Sequence, residues 1–274
     1  MVSTKVPELL LDIHLFTLLL NLVTSNCTNI FSQKHFSQYC QQWIALHSAA
    51  VGGHIQICKF IMTKIVEKNP RRESDGITPL HIAADKGQIE LCKVLMKDNQ
   101  IVNPRNNIGS TPLHCAAKKG HLEVYELISE GSQVINPIDI LGRTPLHYAS
   151  LHGHLMICQF ILENTIVKNP QSIGKTTPLH LAATDGHWKI CQLFFEHFSK
   201  LKGYGPKSPE DFNEDTLLHC AANYGHILVC WVILDNIEDK NHLNDEGLTP
   251  FDLVLKKRFF AICNMISSSD DMEL

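Results

Sequence analysis

The sequence contains no uninterrupted apolar run of the ~20 residues that a membrane-spanning helix needs. Its most apolar stretch, at 9–23, is broken by Asp12, His14 and Asn21. Basic residues are not in excess: 24 Lys and Arg stand against 28 Asp and Glu, whereas nucleic-acid-binding surfaces normally show a basic excess. The densest basic patch, "KNPRR" at 68–72, is interpreted as a solvated loop. We therefore expect neither a membrane nor a nucleic acid as a partner.

Signatures of catalysis are also missing. No Gly-rich phosphate-binding loop occurs, and no Ser/His/Asp or Cys/His arrangement stands outside the regular pattern described below. Ten cysteines are present, but they do not cluster as in a short secreted disulfide scaffold. One stretch, "LLHCAANYGHILVC" at 217–230, does carry the ligand types of a small zinc site, with His219, Cys220, His226 and Cys230. Its context decides whether it is one.

What the sequence has in abundance is self-similarity, the first sign of a repeat architecture. The tetrapeptide "TPLH" occurs at 78–81, 111–114, 144–147 and 177–180, with weaker copies "IALH" at 44–47, "TLLH" at 216–219 and "TPFD" at 249–252. Its last residue recurs every 33 or 34 residues, except for one step of 39 between 180 and 219. Seven copies are therefore visible, one of them preceded by an insertion.

Each copy can be interpreted physically, as the unit 103–135 illustrates. Its Asn-Pro start is turn chemistry. Thr111 suits a helix N-cap, and Pro112 suits the first helical position, where a missing N–H costs nothing. Gly120 suits the end of this short helix. An apolar helical face then follows at Leu122, Val124, Tyr125, Leu127 and Ile128. The pattern predicts two short helices per unit that are stable only when units stack.

The TPLH box, followed by a Gly-His pair at a period of ~33 residues, closely resembles the ankyrin repeat family. The resemblance covers roughly residues 43–266. It implies an all-α fold, an ankyrin-repeat solenoid of stacked helix-turn-helix units joined by β-hairpin-like loops. The Gly- and Pro-rich insertion at 201–212 predicts an extended surface loop and a local change in stacking. Residues 267–274 are expected to form an acidic tail.

The N-terminal segment at 1–42 lies ahead of the recognisable repeats. We interpret it as an apolar segment that forms a helical cap or is partly disordered. A signal peptide and a gene-model artefact remain alternatives, although the stretch has acids at Glu8 and Asp12 and no small-x-small cleavage site.

The repeat explains the zinc-like stretch. His219 is the TPLH histidine, which by resemblance to the family hydrogen-bonds near the helix start and ties adjacent turns together, and His226 belongs to the Gly-His pair. Cys230 belongs to a slot that Cys58, Cys92, Cys158, Cys191 and Cys263 also fill, with Tyr125 in the remaining copy. Cysteine there is interpreted as a small core side chain. Equivalent positions ~8–10 Å apart exceed the ~7 Å reach of a disulfide, so we expect thiols and a reducing compartment. We predict no metal, no cofactor and no catalytic residue.

The family resemblance implies that partners bind at the loop tips and at exposed positions of the first helices. The candidate partner-binding residues in those slots are Ile108, Ser110, Lys118, Lys119, Ile140, Leu141, Arg143, Leu151, His152, Ile173, Thr184, Asp185, Asn223 and Tyr224. Ile108, Ile140, Leu141, Leu151 and Ile173 are apolar where other copies are polar. An exposed apolar patch with polar neighbours is typical of a partner site. Alternatively, some of these tips pack on adjacent hairpins.

The expected function is a non-catalytic protein-interaction scaffold or adaptor, and we expect a monomer. The expected location is the cytoplasm, with the nucleus as the alternative. Two other hypotheses stay open: the ankyrin region of a larger signalling, channel or ubiquitin-ligase protein, and an enzyme or zinc protein. The fold alone does not identify the partner, because function is grafted onto folds.

Overall fold

A computed structural model describes residues 38–97, 102–200 and 209–268. Within these residues the structure has fourteen α-helices and no strand, apart from one isolated antiparallel bridge between Glu210 and Thr216. The apolar stretch at 9–23, most of the insertion and nearly all of the acidic tail lie outside the described residues, so the predictions about them stay predictions.

The helices form seven consecutive pairs. The first helices of the pairs are α1 Gln38–Gly52, α3 Pro79–Asp85, α5 Pro112–Lys119, α7 Pro145–Leu151, α9 Pro178–Thr184, α11 Leu217–Tyr224 and α13 Pro250–Lys257. The second helices are α2 Ile55–Lys64, α4 Ile89–Lys97, α6 Leu122–Glu130, α8 Leu155–Asn164, α10 Trp188–Ser199, α12 Ile227–Leu234 and α14 Phe260–Ser268. The first of them, α1, begins ahead of residue 43, where the repeat pattern becomes recognisable. The predicted all-α ankyrin-repeat solenoid is confirmed.

The chain divides into two compact units. One contains the residues up to Ala116 together with Glu123–Ser132. In it, α1 packs on α2 and α3, and α4 packs on α2 and α3. The other contains Ala117–Leu122 and the residues from Gln133 onwards. In it, the first helices α7, α9, α11 and α13 pack in series, and the second helices α8, α10, α12 and α14 pack in a parallel series. Stacking of like helices is what lets such short helices persist.

The first helices after α1 begin at threonine caps, as the sequence predicts. The N–H group of Thr78 donates to Nδ1 of His81 at 3.2 Å, while the His81 N–H group donates to the Thr78 hydroxyl at 3.4 Å. The same reciprocal capping occurs at Thr144, Thr177 and Thr216. The TPLH histidine thus takes the place that Glu or Gln usually has in a capping box.

The asparagine of the Asn-Pro pair also caps the first helix. Oδ1 of Asn69 accepts a hydrogen bond of 3.0 Å from the N–H group of Leu80. Equivalent bonds join Asn103 to Leu113, Asn136 to Leu146 and Asn169 to Leu179. The pair was predicted to form a turn; its side chain additionally satisfies an N–H group at the start of a helix ten or eleven residues later.

The cysteine slot lies in the core, as the sequence predicts. Cys58, Cys92, Cys158, Cys191, Cys230 and Cys263 are buried. Burial raises the pKa of the thiols of Cys58, Cys92, Cys158, Cys191 and Cys230 to about 12. Since the thiolate is the reactive form, these side chains are chemically inert and act as packing groups.

Candidate partner-binding surface

The TPLH histidines fix each loop tip to the preceding repeat. Nε2 of His81 donates to the carbonyl oxygen of Ser110 at 3.0 Å. Equivalent bonds join His47 to Ile77, His147 to Thr176 and His219 to Leu248, at 2.9 to 3.1 Å. A carbonyl only accepts and Nδ1 already accepts an N–H group, so the single ring proton lies on Nε2. The predicted structural role of these histidines is confirmed.

The protonation state of these histidines follows from their surroundings. Burial lowers the pKa of His81 to about 4 and also lowers the pKa of His180 and of His219. At neutral pH the imidazoles of His81, His180 and His219 are therefore uncharged. An uncharged ring can accept at one nitrogen and donate at the other, which is what linking two repeats requires.

The histidines of the Gly-His pairs bind the preceding repeat, whereas the TPLH histidines bind the following one. Nε2 of His154 donates to the carbonyl oxygen of Lys118 at 3.1 Å. In the same way His187 binds the Leu151 carbonyl at 3.1 Å and His226 binds the Thr184 carbonyl at 2.8 Å. Lys118, Leu151 and Thr184 are candidate partner-binding residues, and their backbone carbonyl groups are held by these bonds.

The turn glycine of each repeat makes this contact sterically feasible. Gly120 has φ +79°, and a Cβ atom there would lie 2.5 Å from Nδ1 of His154. Gly153 and Gly186 meet His187 and His226 in the same way. The glycine is therefore required both by its left-handed backbone and by the imidazole that lies against it.

The insertion alters one of these links. The other TPLH histidines bind the carbonyl group directly before the next threonine cap, whereas Nε2 of His180 donates at 3.0 Å to the Pro209 carbonyl, seven residues before Thr216. His226 still reaches Thr184, at 2.8 Å, although 42 residues separate them instead of 36. The expected change in stacking stays a prediction.

The apolar tip at 139–143 is held by one buried carboxylate. Oδ1 of Asp139 accepts N–H bonds from Leu141 at 2.8 Å and from Arg143 at 2.9 Å, and Oδ2 accepts the hydroxyl of Tyr148 at 2.8 Å. The backbone closes the tip, with Asp139 N–H donating to the Arg143 carbonyl and Gly142 N–H to the Asp139 carbonyl. The tip is thus rigid in the absence of a partner.

The next tip, at 172–176, is joined to the first by a backbone bond of 2.9 Å from the Ile173 N–H group to the Leu141 carbonyl. The exposed fractions of Ile140, Leu141 and Ile173 are 59%, 49% and 73%. These three apolar side chains are presented to solvent, so the alternative that they pack away on adjacent hairpins does not apply to them. Two bonded, rigid tips therefore display one apolar group.

The remaining candidates of this unit lie at the ends of first helices. Leu151 is half-buried at the end of α7, and the neighbouring His152 is exposed, with its ring 6.2 Å from that of His154. Partial burial, and then His154, lowers the pKa of His152. At the corresponding helix ends Lys118, Lys119, Asp185 and Tyr224 are exposed, and Thr184 and Asn223 are half-buried. The helix ends therefore carry exposed side chains of both charges, basic at Lys118 and Lys119 and acidic at Asp185.

Ile108 and Ser110 belong to the other unit. Oδ1 of Asn106 accepts the N–H groups of Ile108 at 3.1 Å and of Ser110 at 2.9 Å. Ile108 is exposed, while Ser110 is half-buried and its carbonyl is taken by His81. This tip repeats the geometry of the tip at 139–143.

Sequence reasoning missed Asp139 and Tyr148, on which the apolar tip depends. The available signal was an Asp or Asn five residues before the threonine cap, seen at Asn106, Asp139, Asp211 and Asn244. Side chains of this type bind the backbone two residues ahead. Tyr148 had no such signal, because its slot on the first helix varies between copies.

The zinc-like stretch at 217–230 is used for structure. Both ring nitrogens of His219 and Nε2 of His226 hold hydrogen bonds within the repeat stack. Burial raises the pKa of Cys220 and of Cys230 to about 12, which disfavours the thiolate that zinc binds. Within 38–97, 102–200 and 209–268, no three His, Cys, Asp or Glu side chains gather where they could hold a metal ion.

Stacked helix pairs joined by loop tips are the architecture of a helical repeat protein, a class whose usual function is binding. A family model described as ankyrin repeats (3 copies) matches residues 12–106, 99–172 and 166–245, and the chain belongs to the ankyrin repeat family. No curated protein matches it. Ankyrin repeats are a protein–protein interaction module and are generally non-catalytic, so membership of the family indicates protein binding. None of the described helices has both the length and the apolar character to cross a bilayer.

Proposed function

We propose that this protein is a non-catalytic scaffold or adaptor that captures a protein partner on the surface formed by its loop tips and first helices, the concave face of an ankyrin solenoid. The observation that carries the proposal is the exposure of Ile140, Leu141 and Ile173 on two rigid, mutually bonded tips. Fully burying one such side chain is worth about 1.5–3 kcal/mol. Three half-exposed side chains could therefore supply a few kcal/mol of binding free energy.

Rigidity makes this gain available to a partner. Ordering a loop on binding would consume part of the interaction energy. Asp139 has already ordered the tip through two N–H groups and the hydroxyl of Tyr148. The tip would then lose little conformational entropy when the partner binds, because it is already ordered in the folded protein.

The polar candidates suit the rim of the interface. Arg143, His152, Thr184 and Asp185 surround an apolar centre, which is the usual anatomy of a protein–protein interface. Asn223 and Tyr224 extend the same slots to α11. Mixed rim charge would select the orientation of the partner more than its affinity.

The test is affinity capture from the native cell with the triple variant Ile140→Ser, Leu141→Ser and Ile173→Ser, which replaces three exposed side chains. We expect specific partners, identified by mass spectrometry, to be lost while helicity and unfolding stay unchanged. A matched control replaces Met156, Ile166 and Val167 with serine, because these apolar side chains of the same unit are also exposed but lie outside the proposed surface. Equal capture by both variants would contradict the proposal.

We also propose that the protein acts as a monomer in the cytoplasm or nucleus, without nucleic acid or cofactor. Buried thiols with raised pKa suit a reducing compartment. Sedimentation analysis of the purified chain and imaging of a tagged chain would test these points. A longer transcript would place the same surface in a larger signalling, channel or ubiquitin-ligase protein without changing its role.

A further inference from the structure

Helix α12 exposes apolar side chains where the other second helices are mostly polar. Leu228 and Trp231 lie one turn apart on the same helix face, and their exposed fractions are 55% and 57%. The equivalent positions hold Gln56 and Lys59 in α2, Glu90 and Lys93 in α4, Glu123 and Glu126 in α6, Met156 and Gln159 in α8, and Lys189 and Gln192 in α10. No charged residue occurs in α12. Its outer face is therefore unlike that of a solvated helix.

The neighbouring helix α14 extends this apolar face. Its first residue, Phe260, has an exposed fraction of 63%. The preceding ring of Phe259 lies against Gly225, where a Cβ atom would be 2.8 Å from the Phe259 Cζ atom. This contact fixes the turn before α14 on the turn before α12, and the two helices pack directly. Leu228, Trp231 and Phe260 thus belong to one continuous surface.

Three cations lie beside the apolar group. Lys256, Lys257 and Arg258 are all exposed and directly precede the two phenylalanines. Arg258 adopts φ +63° and ends α13. Lysines at a helix C-terminus also favour the helix dipole, but the dipole does not account for the exposed apolar side chains next to them.

Carboxylates are absent from this part of the chain. The sequence contains no Asp or Glu between Thr216 and Leu234, or between Leu253 and Ser268, although the protein carries a net charge of −4. Acids on or beside the packed elements are Asp235, after α12, and Glu196, near the end of α10. In the sequence, Asp270, Asp271 and Glu273 follow α14 at the end opposite to the cations. Asp252 lies at the opposite end of α13 from the cations, where its carboxylate accepts a hydrogen bond from the Thr249 N–H group. The surface is therefore locally cationic on an acidic protein.

This composition favours an anionic bilayer over a protein as the ligand. Segments that lie at membrane interfaces combine Trp, Phe and Leu with Lys and Arg. Protein–protein interfaces, by contrast, are depleted in lysine. Each cation near an anionic leaflet strengthens binding about fivefold. The sequence-based expectation of no membrane partner rested on the length of a spanning helix and does not bear on peripheral contact.

We propose that the last two repeats carry a peripheral membrane-binding face. Leu228, Trp231 and Phe260 enter the interfacial layer of an anionic phospholipid bilayer, while Lys256, Lys257 and Arg258 lie at its headgroups. This face shares no residue with the proposed partner-binding surface. The protein would thereby hold its partner at the cytoplasmic leaflet, which is the anionic one.

The test is vesicle co-sedimentation of the full 274-residue chain with phosphatidylcholine vesicles, with and without phosphatidylserine. We expect Lys256→Gln with Lys257→Gln to weaken binding to phosphatidylserine vesicles about 30-fold. Trp231→Gln with Phe260→Gln should weaken it as well. Met156→Gln is the matched apolar control, and Lys118→Gln with Lys119→Gln is the matched charge control at another first-helix end. All of the substituted side chains are exposed, so folding should be unaffected.

A second measurement locates the contact. Brominated lipid in the vesicles should quench tryptophan fluorescence, and Trp231→Phe should remove most of this quenching while the protein still binds. Quenching that persists in Trp231→Phe would place the contact elsewhere, for example in the apolar stretch at 9–23, and would overturn the proposal.

Other outcomes are equally decisive. Absence of binding to phosphatidylserine vesicles, or equal binding by all variants, would overturn the proposal. Displacement by inorganic phosphate at constant ionic strength would indicate a simple anion site instead of a bilayer face. Capture of a protein through these residues, without vesicle binding, would assign the face to a protein. The partner-surface triple variant should still bind vesicles, so the two proposals can fail separately.

Discussion

The hydroxyl group of Tyr148, on α7, donates a hydrogen bond of 2.8 Å to Oδ2 of Asp139, at the base of the apolar tip. Asp139 is buried, and its other carboxylate oxygen accepts two N–H groups of the tip. The tip that displays Ile140 and Leu141 is therefore anchored to the first helix of its own repeat. One carboxylate therefore orders the tip on which the proposed binding residues lie.

Replacing Asp139 with alanine should loosen the tip and destabilise the protein. It removes the acceptor of three hydrogen bonds and leaves two N–H groups without it, so we expect a loss of about 2–4 kcal/mol in the free energy of unfolding. Tyr148→Phe removes one bond and should cost about 1 kcal/mol. Urea unfolding measures both. A similar cost for the two variants would show that the N–H bonds contribute little.

Stability should fall with acid because of the buried histidines. Burial lowers the pKa of His81 to about 4 in the folded state, against about 6.5 in the unfolded chain. The unfolded state therefore binds its proton first as the pH drops. The contribution is fully present above about pH 6.5 and is lost between pH 6.5 and 4, and for His81 it amounts to about 3 kcal/mol. His180 and His219 shift in the same direction.

Unfolding in urea at a series of pH values from neutral to acidic checks this prediction. The variant His81→Gln should be less stable at neutral pH but should lose less stability on acidification. Carboxylates with lowered pKa, such as Asp75, act in the same direction, so the difference between variant and original is the quantity to compare. An unchanged slope would contradict the assignment.

Replacing Gln88 with histidine should stabilise the protein. Gln88 fills the Gly-His slot, and its Oε1 atom is buried with no hydrogen-bond partner among the described residues. Histidines in this slot bind the carbonyl two residues before the preceding turn glycine, as His154 binds Lys118 ahead of Gly120. A histidine at 88 would face the Val51 carbonyl in the same way. We expect a gain of about 1 kcal/mol by thermal unfolding.

The matched control for this substitution is Gln88→Ala, which also removes the buried amide oxygen but supplies no donor. Histidine should exceed alanine in stability if the imidazole forms the inter-repeat bond. Equal stability of the two variants would mean that only the unpaired oxygen matters.

Replacing Lys175 with glycine should also stabilise the protein. Lys175 has φ +56° at a tip position where Gly76, Gly109, Gly142 and Gly247 stand in other repeats. The left-handed conformation costs a non-glycine residue about 1 kcal/mol, so glycine should recover roughly that amount. Lys175→Ala removes the charge but keeps the Cβ atom, and should show no such gain. A gain in both variants would indicate charge instead of backbone strain.

The sequence predicted the helix pairs because their signals are local and recur. Thr78, Pro79 and Gly87 lie within ten residues of each other and define one helix with its ends. The predicted cysteine slot follows from helical period and is likewise a local pattern. Such features can be predicted without knowing which residues of the neighbouring repeats they contact.

Contacts between repeats could not be predicted in the same way. His226 reaches Thr184, 42 residues earlier, and His187 reaches Leu151, 36 residues earlier. Their partners are backbone groups, which every residue has, so no residue type identifies them. The same applies to the surface, because the exposure of Ile173 or Trp231 depends on neighbours in three dimensions.

The hydrogen bonds of the TPLH histidines all run in the same direction, from one repeat to the one that follows it in the sequence. Each histidine accepts at Nδ1 within its own repeat and donates from Nε2 to the next, but Asp252 occupies this position in the last described repeat. An ionised aspartate has no proton to donate. A duplicated repeat grafted after Thr216–Leu234 would receive a link from His219, whereas one grafted behind α14 would need Asp252→His to be joined by the same bond.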